Sequence, residues 1–327
     1  MGNTAFRALC ASAPFVLLAG CGGSLGAGEQ PSVLAPQGAQ GSLHGNSLTD
    51  AAARGKDLLY ASSTYNCNVY VFTYPRGKLV QTINSCAFGF GPAFGLCTDS
   101  SGDVFMAMGE GFSIFEFAHG GTKPIAQLED DSLLPVGCSV DAKTGDLGVA
   151  SVTGNVAIFK NASGTPEIYS LPNISEFFFC TFDDRGNLFA DGEHNDRTFA
   201  LAELPKGGSA LHEIMVSGNV GAGFALQWDG HHIAVGETQA SNEFVLDRVR
   251  ISGSVAKIVG TTALTAAPNT FMPFQFWIQG GTIVQSENGN AEIGFWNYPR
   301  GGAQTNGIQI AGSTLVGVTV SLAGRRR

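Results

Sequence analysis

A glycine turn that returns at a nearly fixed interval restricts this chain more than any other feature. Tyr74-Pro75-Arg76-Gly77, Ala118-His119-Gly120-Gly121, Asn161-Ala162-Ser163-Gly164, Leu204-Pro205-Lys206-Gly207, Ile251-Ser252-Gly253 and Tyr298-Pro299-Arg300-Gly301 place their last glycines 44, 43, 43, 46 and 48 residues apart. A second turn recurs out of phase with the first, in Asp99-Ser100-Ser101-Gly102-Asp103, Asp141-Ala142-Lys143-Thr144-Gly145-Asp146, Asp183-Asp184-Arg185-Gly186-Asn187 and the shorter Trp228-Asp229-Gly230. In such turns the carboxylate accepts local backbone N–H bonds and the glycine takes positive φ. Apolar runs follow, as in Val104-Phe105-Met106-Ala107 and Leu188-Phe189-Ala190, and residues of this kind suit a pleated, buried surface. The unit therefore reads strand, Asp-to-Gly turn, strand, strand, glycine turn, strand. Its period lies at or slightly above the length of a four-stranded propeller blade, whereas tetratricopeptide and ankyrin arrays are shorter and helical.

Six copies predict an all-β chain folded as a six-bladed β-propeller of four-stranded blades. Lys56-Asp57-Leu58-Leu59-Tyr60 matches the second strand of the unit, so blade one lacks a first strand of its own. Leu315-Val316-Gly317-Val318-Thr319-Val320-Ser321 has first-strand character with nothing of the unit after it, and is expected to complete blade one and close the ring. With 45 glycines and only 14% charged residues, against ~25% in typical proteins, the composition is that of a turn-rich, weakly charged fold, and 44% apolar residues supply its core. A formal net charge of -9 offers phosphates no broad cationic surface, which argues against a general nucleic-acid binder.

Ahead of the repeats, residues 1–20 carry one cation, Arg7, and an uncharged stretch from Ala8 to Ala19 too short to span a bilayer, as in a signal peptide. The stretch ends in Leu18-Ala19-Gly20-Cys21, which resembles the lipobox of bacterial lipoproteins. That resemblance implies cleavage before Cys21 and lipid attachment to it; the alternative is an ordinary secretory signal with a chance cysteine. Residues 21–50, rich in Gly, Ser, Gln, Ala and Pro, read as a flexible tether with a typical reach of roughly 30 Å. The propeller is expected over 51–322, followed by a basic tail at 323–327. Gly22-Gly23 lacks an Asp after the cysteine, which in a Gram-negative cell favours the outer membrane. The expected location is the cell envelope, with the membrane reached through the lipid anchor.

The Tyr-Pro-Arg-Gly hairpins together with Asp99-Ser100-Ser101-Gly102-Asp103-Val104-Phe105 resemble the broad group of NHL-like six-bladed propellers. More narrowly, Gly137-Cys138-Ser139-Val140-Asp141 and Ala202-Glu203-Leu204-Pro205-Lys206-Gly207 are similar to runs in bacterial propeller lipoproteins. The resemblance spans roughly residues 56 to 321. It implies a fold and almost no chemistry, because the shared positions are turns and core strands.

Beyond Cys10 in the leader and Cys21, five cysteines remain in an exported, oxidising context. Cys67 and Cys86 lie almost symmetrically about the Pro75-Arg76-Gly77 turn, where antiparallel strands bring them face to face, and a disulfide is expected. Cys97, Cys138 and Cys180 each precede a turn Asp on the first strand of consecutive blades. Neighbouring inner strands diverge from an axis, so three buried free thiols are expected, with a thiol metal site the alternative. No C-x-x-C pair supports zinc. The turn aspartates 99, 141, 183 and 229 are read as turn formers rather than calcium ligands. The densest polar cluster, Asp191, Glu193, His194 and Asp196, and the His231-His232 pair are read as solvated loops, with a metal role the lesser alternative.

Enzymes on six-bladed propellers supply the rival function. Lactonases of the regucalcin type gather Glu, Asn and Asp around a channel metal that polarises a carbonyl and activates water. The expected inner strands here hold one carboxylate, Glu176, with the amides Asn219, Gln227, Gln275 and Gln279, a poor divalent set. Streptogramin-lyase-like chemistry needs a channel histidine, and none of the six histidines falls on those strands. No G-x-S-x-G, P-loop or H-E-x-x-H signature appears. Phe271-Met272-Pro273-Phe274-Gln275-Phe276-Trp277 fits either a pocket lining or a buried inner strand. The reading is a monomeric, non-catalytic binding or scaffolding module without cofactor, taking an envelope protein, peptide or glycan. A metal-dependent lactonase or hydrolase centred on Glu176 is the alternative.

Overall fold

The computed structural model describes residues 51–218, 220–239, 243–265 and 274–324. The signal segment, Cys21, the tether, Asn219, Phe271-Met272-Pro273 and the tail arginines lie outside them. Six antiparallel sheets form the blades. From the axis outward, blade 1 consists of Leu315–Ser321, Leu58–Ser63, Asn68–Thr73 and Leu79–Asn84, and blade 2 of Ala93–Thr98, Val104–Met108, Ser113–Phe117 and Pro124–Glu129. Blade 3 is built from Pro135–Val140, Leu147–Ser151, Asn155–Phe159 and Glu167–Ser170, and blade 4 from Ile174–Phe182, Leu188–His194, Phe199–Leu204 and His212–Glu213. Blade 5 holds Ala222–Trp228, Ile233–Thr238, Phe244–Ser252 and Val255–Thr265; blade 6 holds Phe276–Gln279, Thr282–Glu287, Glu292–Asn297 and Asn306–Gln309. Among the described residues no helix is long and apolar enough to cross a membrane.

The ring closes through the last strand. Leu315–Ser321, buried along its whole length, pairs antiparallel with Leu58–Ser63 in the register Leu58↔Ser321, Leu59↔Val320, Tyr60↔Thr319 and Ala61↔Val318. Blade 5 departs from the four-stranded plan. Met215–Ser217, arriving from blade 4, and Gly302–Ala303, from blade 6, add parallel to its long outer strand and pair with part of its open edge.

Neighbouring blades cover both faces of the second strand of each blade, so those strands are near-continuous buried runs rather than alternating ones. Leu58–Ser63 and Val104–Met108 are buried at every position, while the outer Leu79–Asn84 buries only Ile83. The core lies between sheets: Tyr60, Val69 and Val71 of blade 1 pack against Leu96, Val104, Met106, Phe115 and Phe117 of blade 2. Full burial of each such side chain contributes about 1.5–3 kcal/mol.

Both turn families occupy one rim, and hydrogen bonds couple them. Asp103 Oδ1 accepts the His119 N–H at 3.2 Å, Asp146 Oδ1 that of Asn161 at 2.8 Å, and Asn187 Oδ1 that of Lys206 at 3.0 Å. In blades 2, 3 and 4 the residue closing the first turn thus anchors the second. The tyrosines of the Tyr-Pro-Arg-Gly turns reach back one blade. Tyr298 Oη donates to Asp229 Oδ2 of blade 5 at 2.5 Å, and the Tyr74 hydroxyl bonds Thr282 of blade 6.

Candidate functional site

On the turn-bearing rim the ends of the six inner strands open into an axial bowl of about 340 Å³. Gln227, Gln275, Cys97 and Cys138 lie at its floor, Trp228 and Trp277 in its wall, and Asp99, Asp141, Asp183 and Asp184 with Lys143 around its mouth.

The floor is knitted by amides. Gln275 Oε1 accepts the backbone N–H groups of Leu96 and Val318, each at 3.0 Å, and its Nε2 donates to Leu96 O at 2.7 Å. One side chain of blade 6 thereby ties the inner strands of blades 1 and 2. Gln227 of blade 5 makes a two-point bond with blade 6: the Ile278 N–H donates to Oε1 at 2.6 Å, and Nε2 donates to Ile278 O at 3.1 Å. Shorter side chains repeat the device. Thr181 Oγ1 accepts the Trp228 N–H at 2.9 Å, and Ser62 Oγ accepts the Gly317 N–H at 2.8 Å while donating to Phe94 O at 2.5 Å.

Two of the three cysteines expected as free thiols are joined. Cys97 and Cys138, on the inner strands of blades 2 and 3, form a disulfide with a Cα–Cα separation of 5.7 Å. The expectation failed because these inner strands do not diverge. A Cβ on Gly95 would lie 2.3 Å from Val136 O, one on Gly137 2.3 Å from Phe178 O, and one on Gly317 2.1 Å from Phe94 O. Glycine lets consecutive strands approach backbone to backbone, and two cysteines just beyond the contact then face each other. The signal was present in Gly95-Leu96-Cys97 and Gly137-Cys138. Among the described cysteines Cys180 remains free and buried, and burial, with Asp191 nearby, pushes its thiol pKa well above the ordinary range. Cys67 and Cys86 form a second disulfide, Cα–Cα 5.5 Å, just past the last pair of the first outer hairpin, Asn68↔Asn84.

Around the mouth, each turn aspartate shapes its own backbone. Asp99 Oδ1 accepts the N–H groups of Ser101 and Asp103, Asp183 Oδ1 those of Arg185 and Asn187, and Asp229 Oδ1 those of His231 and His232. Asp141 accepts from the Lys143 N–H and the Thr144 hydroxyl. Lys143 Nζ donates to the backbone carbonyl of Asp184 and not to a carboxylate. Negative charge accumulates behind this rim: burial, then Asp103 and Asp99, push the Glu116 carboxyl up to about 7. Burial and Asp99 likewise raise Asp103.

The remaining sequence candidates are dispersed. Glu176 lies near the opposite end of its strand, paired with Glu193, and does not line the bowl that Gln227 and Gln275 share. The polar cluster of blade 4 is not the solvated loop expected from sequence: Asp191, Glu193 and His194 belong to the strand Leu188–His194, with the first two buried, and their contacts diverge. Asp191 is fully buried with Oδ1 on the Phe179 N–H, Glu193 pairs with Arg197 at 3.4 Å, His194 Nε2 meets Glu213 Oε1 at 2.8 Å, and Asp196 holds the Thr198 turn. Among the described residues no group of three or more His, Cys, Asp or Glu side chains is arranged to hold a metal. The bowl, with Trp228 and Trp277 on the inner strands of blades 5 and 6, joins residues far apart in the chain, so no single local pattern announces it. Its signal lies in the residues just before each Asp-to-Gly turn, which the topology gathers at one end of the axis.

Comparison with known proteins supports the architecture alone. No protein-family model matches the chain, and no curated protein matches it. Among solved structures it is similar to a chain of the nidogen/laminin complex, with a TM-score of 0.66 at 13% identity, over 82% of this chain and 99% of that one. At that identity the likeness is one of fold.

Proposed function

We propose that this chain is an exported, lipid-anchored propeller acting as a non-catalytic recognition module, with the axial bowl as its ligand site. The observation that carries the reading is the use of the channel amides. Every polar atom that Gln227 and Gln275 bring to the axis is bonded to a backbone group of another blade. A hydrolase of the regucalcin type would need such groups turned toward a metal and substrate. What is left open to solvent is a shallow concavity floored by a disulfide and walled by two indoles on a rigid ring, a surface suited to holding a ligand. Lipid attachment at Cys21 and the tether would hold that bowl within reach of envelope partners.

The test is divalent metal content by elemental mass spectrometry on the purified protein, with the thermal midpoint recorded with and without chelator. The reading expects no stoichiometric metal and an unchanged midpoint. One bound metal whose removal lowers the midpoint would instead favour the hydrolase. The anchor is tested separately: Cys21→Ser should abolish incorporation of labelled fatty acid and move the protein from the membrane to the soluble fraction.

A further inference from the structure

We infer that the axial bowl takes the cationic side chain of a basic peptide segment, arginine in preference to lysine. This deepens the recognition reading and rests on it. Three observations converge. The wall presents Trp228 and Trp277, on the inner strands of blades 5 and 6, and indole is the best aromatic partner for a cation. The Trp228 Nε1 is buried and has no hydrogen-bond partner, so its ring is held by packing and not by a polar tether.

The second observation is charge. Asp99, Asp141, Asp183 and Asp184 line the bowl with a single ammonium, Lys143. That lysine is spent on a carbonyl. The ion pairs among the described residues are Lys160 with Asp146 and Glu167, His194 with Glu213, Arg197 with Glu193, and His232 with Asp229, so none of the four lining carboxylates is compensated by a basic side chain. Asp183 and Asp141 have both oxygens engaged in their turns and act as fixed negative charges. Asp184 is exposed, and its carboxylate makes no hydrogen bond among the described residues. An anionic or phosphorylated ligand would enter against this field, and a neutral glycan would gain nothing from it.

Size is the third. About 340 Å³ is at the lower end of small-molecule sites and suits one long side chain with its flanking backbone. Arginine is preferred because a planar, weakly hydrated guanidinium stacks on indole and still offers in-plane donors to carboxylates.

The experiment is titration of the purified protein, carrying Arg325→Ala, Arg326→Ala and Arg327→Ala so that its own arginines do not compete, with Gly-Gly-Arg-Gly-Gly. The citrulline counterpart and a neutral trisaccharide are titrated in parallel, with tryptophan fluorescence as the readout. Two of the three tryptophans, Trp228 and Trp277, line the bowl, so occupancy registers in the signal. The expected result is saturable quenching by the arginine peptide that weakens at least fivefold on raising salt from 50 to 500 mM, as an exposed ion pair must. Citrulline should bind at least tenfold more weakly. Asp184→Asn, at an exposed position outside the core, should weaken the arginine peptide about threefold or more and leave the thermal midpoint unchanged. Equal binding of the arginine and citrulline peptides, or salt-independent binding, overturns the cation assignment while leaving a binding module. So does quenching by the trisaccharide without the arginine peptide. Silence from all three probes overturns the inference and removes the bowl as the ligand site of the recognition reading.

Discussion

Asp191 sits wholly buried on the second strand of blade 4, its Oδ1 accepting the Phe179 N–H at 2.8 Å where the inner strand bulges between Phe177 and Phe179. Its Oδ2 is buried without a hydrogen-bond partner, and burial pushes the carboxyl from 3.8 up to about 7. Between those values the folded chain keeps a proton that the unfolded chain has released, so stability falls as pH rises through the window and the penalty is complete above it. A shift of this size corresponds to a few kcal/mol, on the order of 1.4 per unit. Asp191→Asn retains the acceptor for Phe179 and removes the ionisation. Urea denaturation at pH 5 and pH 8 should show the wild type losing stability at the higher pH and the variant losing markedly less; an undiminished slope would mean that Asp191 does not carry it. Gln275 offers a second residue-scale test. Gln275→Leu deprives Leu96 N, Leu96 O and Val318 N of their partner, and unmet buried groups cost about 1–3 kcal/mol each, relieved where water enters from the bowl. The thermal midpoint should drop by several degrees, by the same amount with and without chelator; a chelator-sensitive loss would mark Gln275 as a metal ligand after all.

At the scale of elements, strands and turns were legible because each follows a local rule: Asp and Gly at fixed offsets, apolar runs between them, and a period of blade length. The pairing of Leu315–Ser321 with Leu58–Ser63 was also legible, since a strand without a partner at each end of the repeat can satisfy both edges at once. Cys97–Cys138 was not, because it depends on how far apart two inner strands sit, and that distance is set by Gly95 against Val136 O and the Cα of Gly137 in the following blade. The candidate site was hidden for a related reason. Gln227 and Gln275 read as polar groups facing a channel, yet closely packed strands leave backbone donors and acceptors that those amides satisfy. The cysteine arrangement gives a counting test on the chain from residue 51 onward. Alkylation after denaturation without reductant should label one thiol, Cys180, and after reduction five: Cys67, Cys86, Cys97, Cys138 and Cys180. In the folded state none should react, because Cys180 is buried and its thiol pKa is raised. Rapid labelling of Cys97 without reductant would rule out the inter-blade bridge.

For the whole molecule, the closing strand decides whether six sheets behave as one body. Each blade buries its faces only against its two neighbours, so a ring with one missing inner strand loses more than that strand's own contacts. Leu315, Val318 and Val320 pack with Leu59, Ala61 and Phe72 of blade 1 and with Val284, Ile293 and Phe295 of blade 6. Gly317 presses on Phe94 O of blade 2, and Val318 N is one of the groups Gln275 holds. A chain ending at Ser313 would therefore open three blades at once and expose the edge of Leu58–Ser63 to pairing with other molecules. That truncation should not yield a stable monomer, whereas the propeller that keeps its closing strand is expected to run as one. Size-exclusion chromatography should show dimers by edge exchange or aggregates, with a midpoint lowered well beyond the Gln275→Leu effect. Addition of a synthetic peptide spanning residues 314–324 should restore the monomer by filling the vacant strand position. A truncated chain that stays monomeric at the wild-type midpoint would show that the disulfides and inter-blade amides hold the ring without closure. In that event the strand pairing between Leu58–Ser63 and Leu315–Ser321 would be a consequence of the fold and not its clasp.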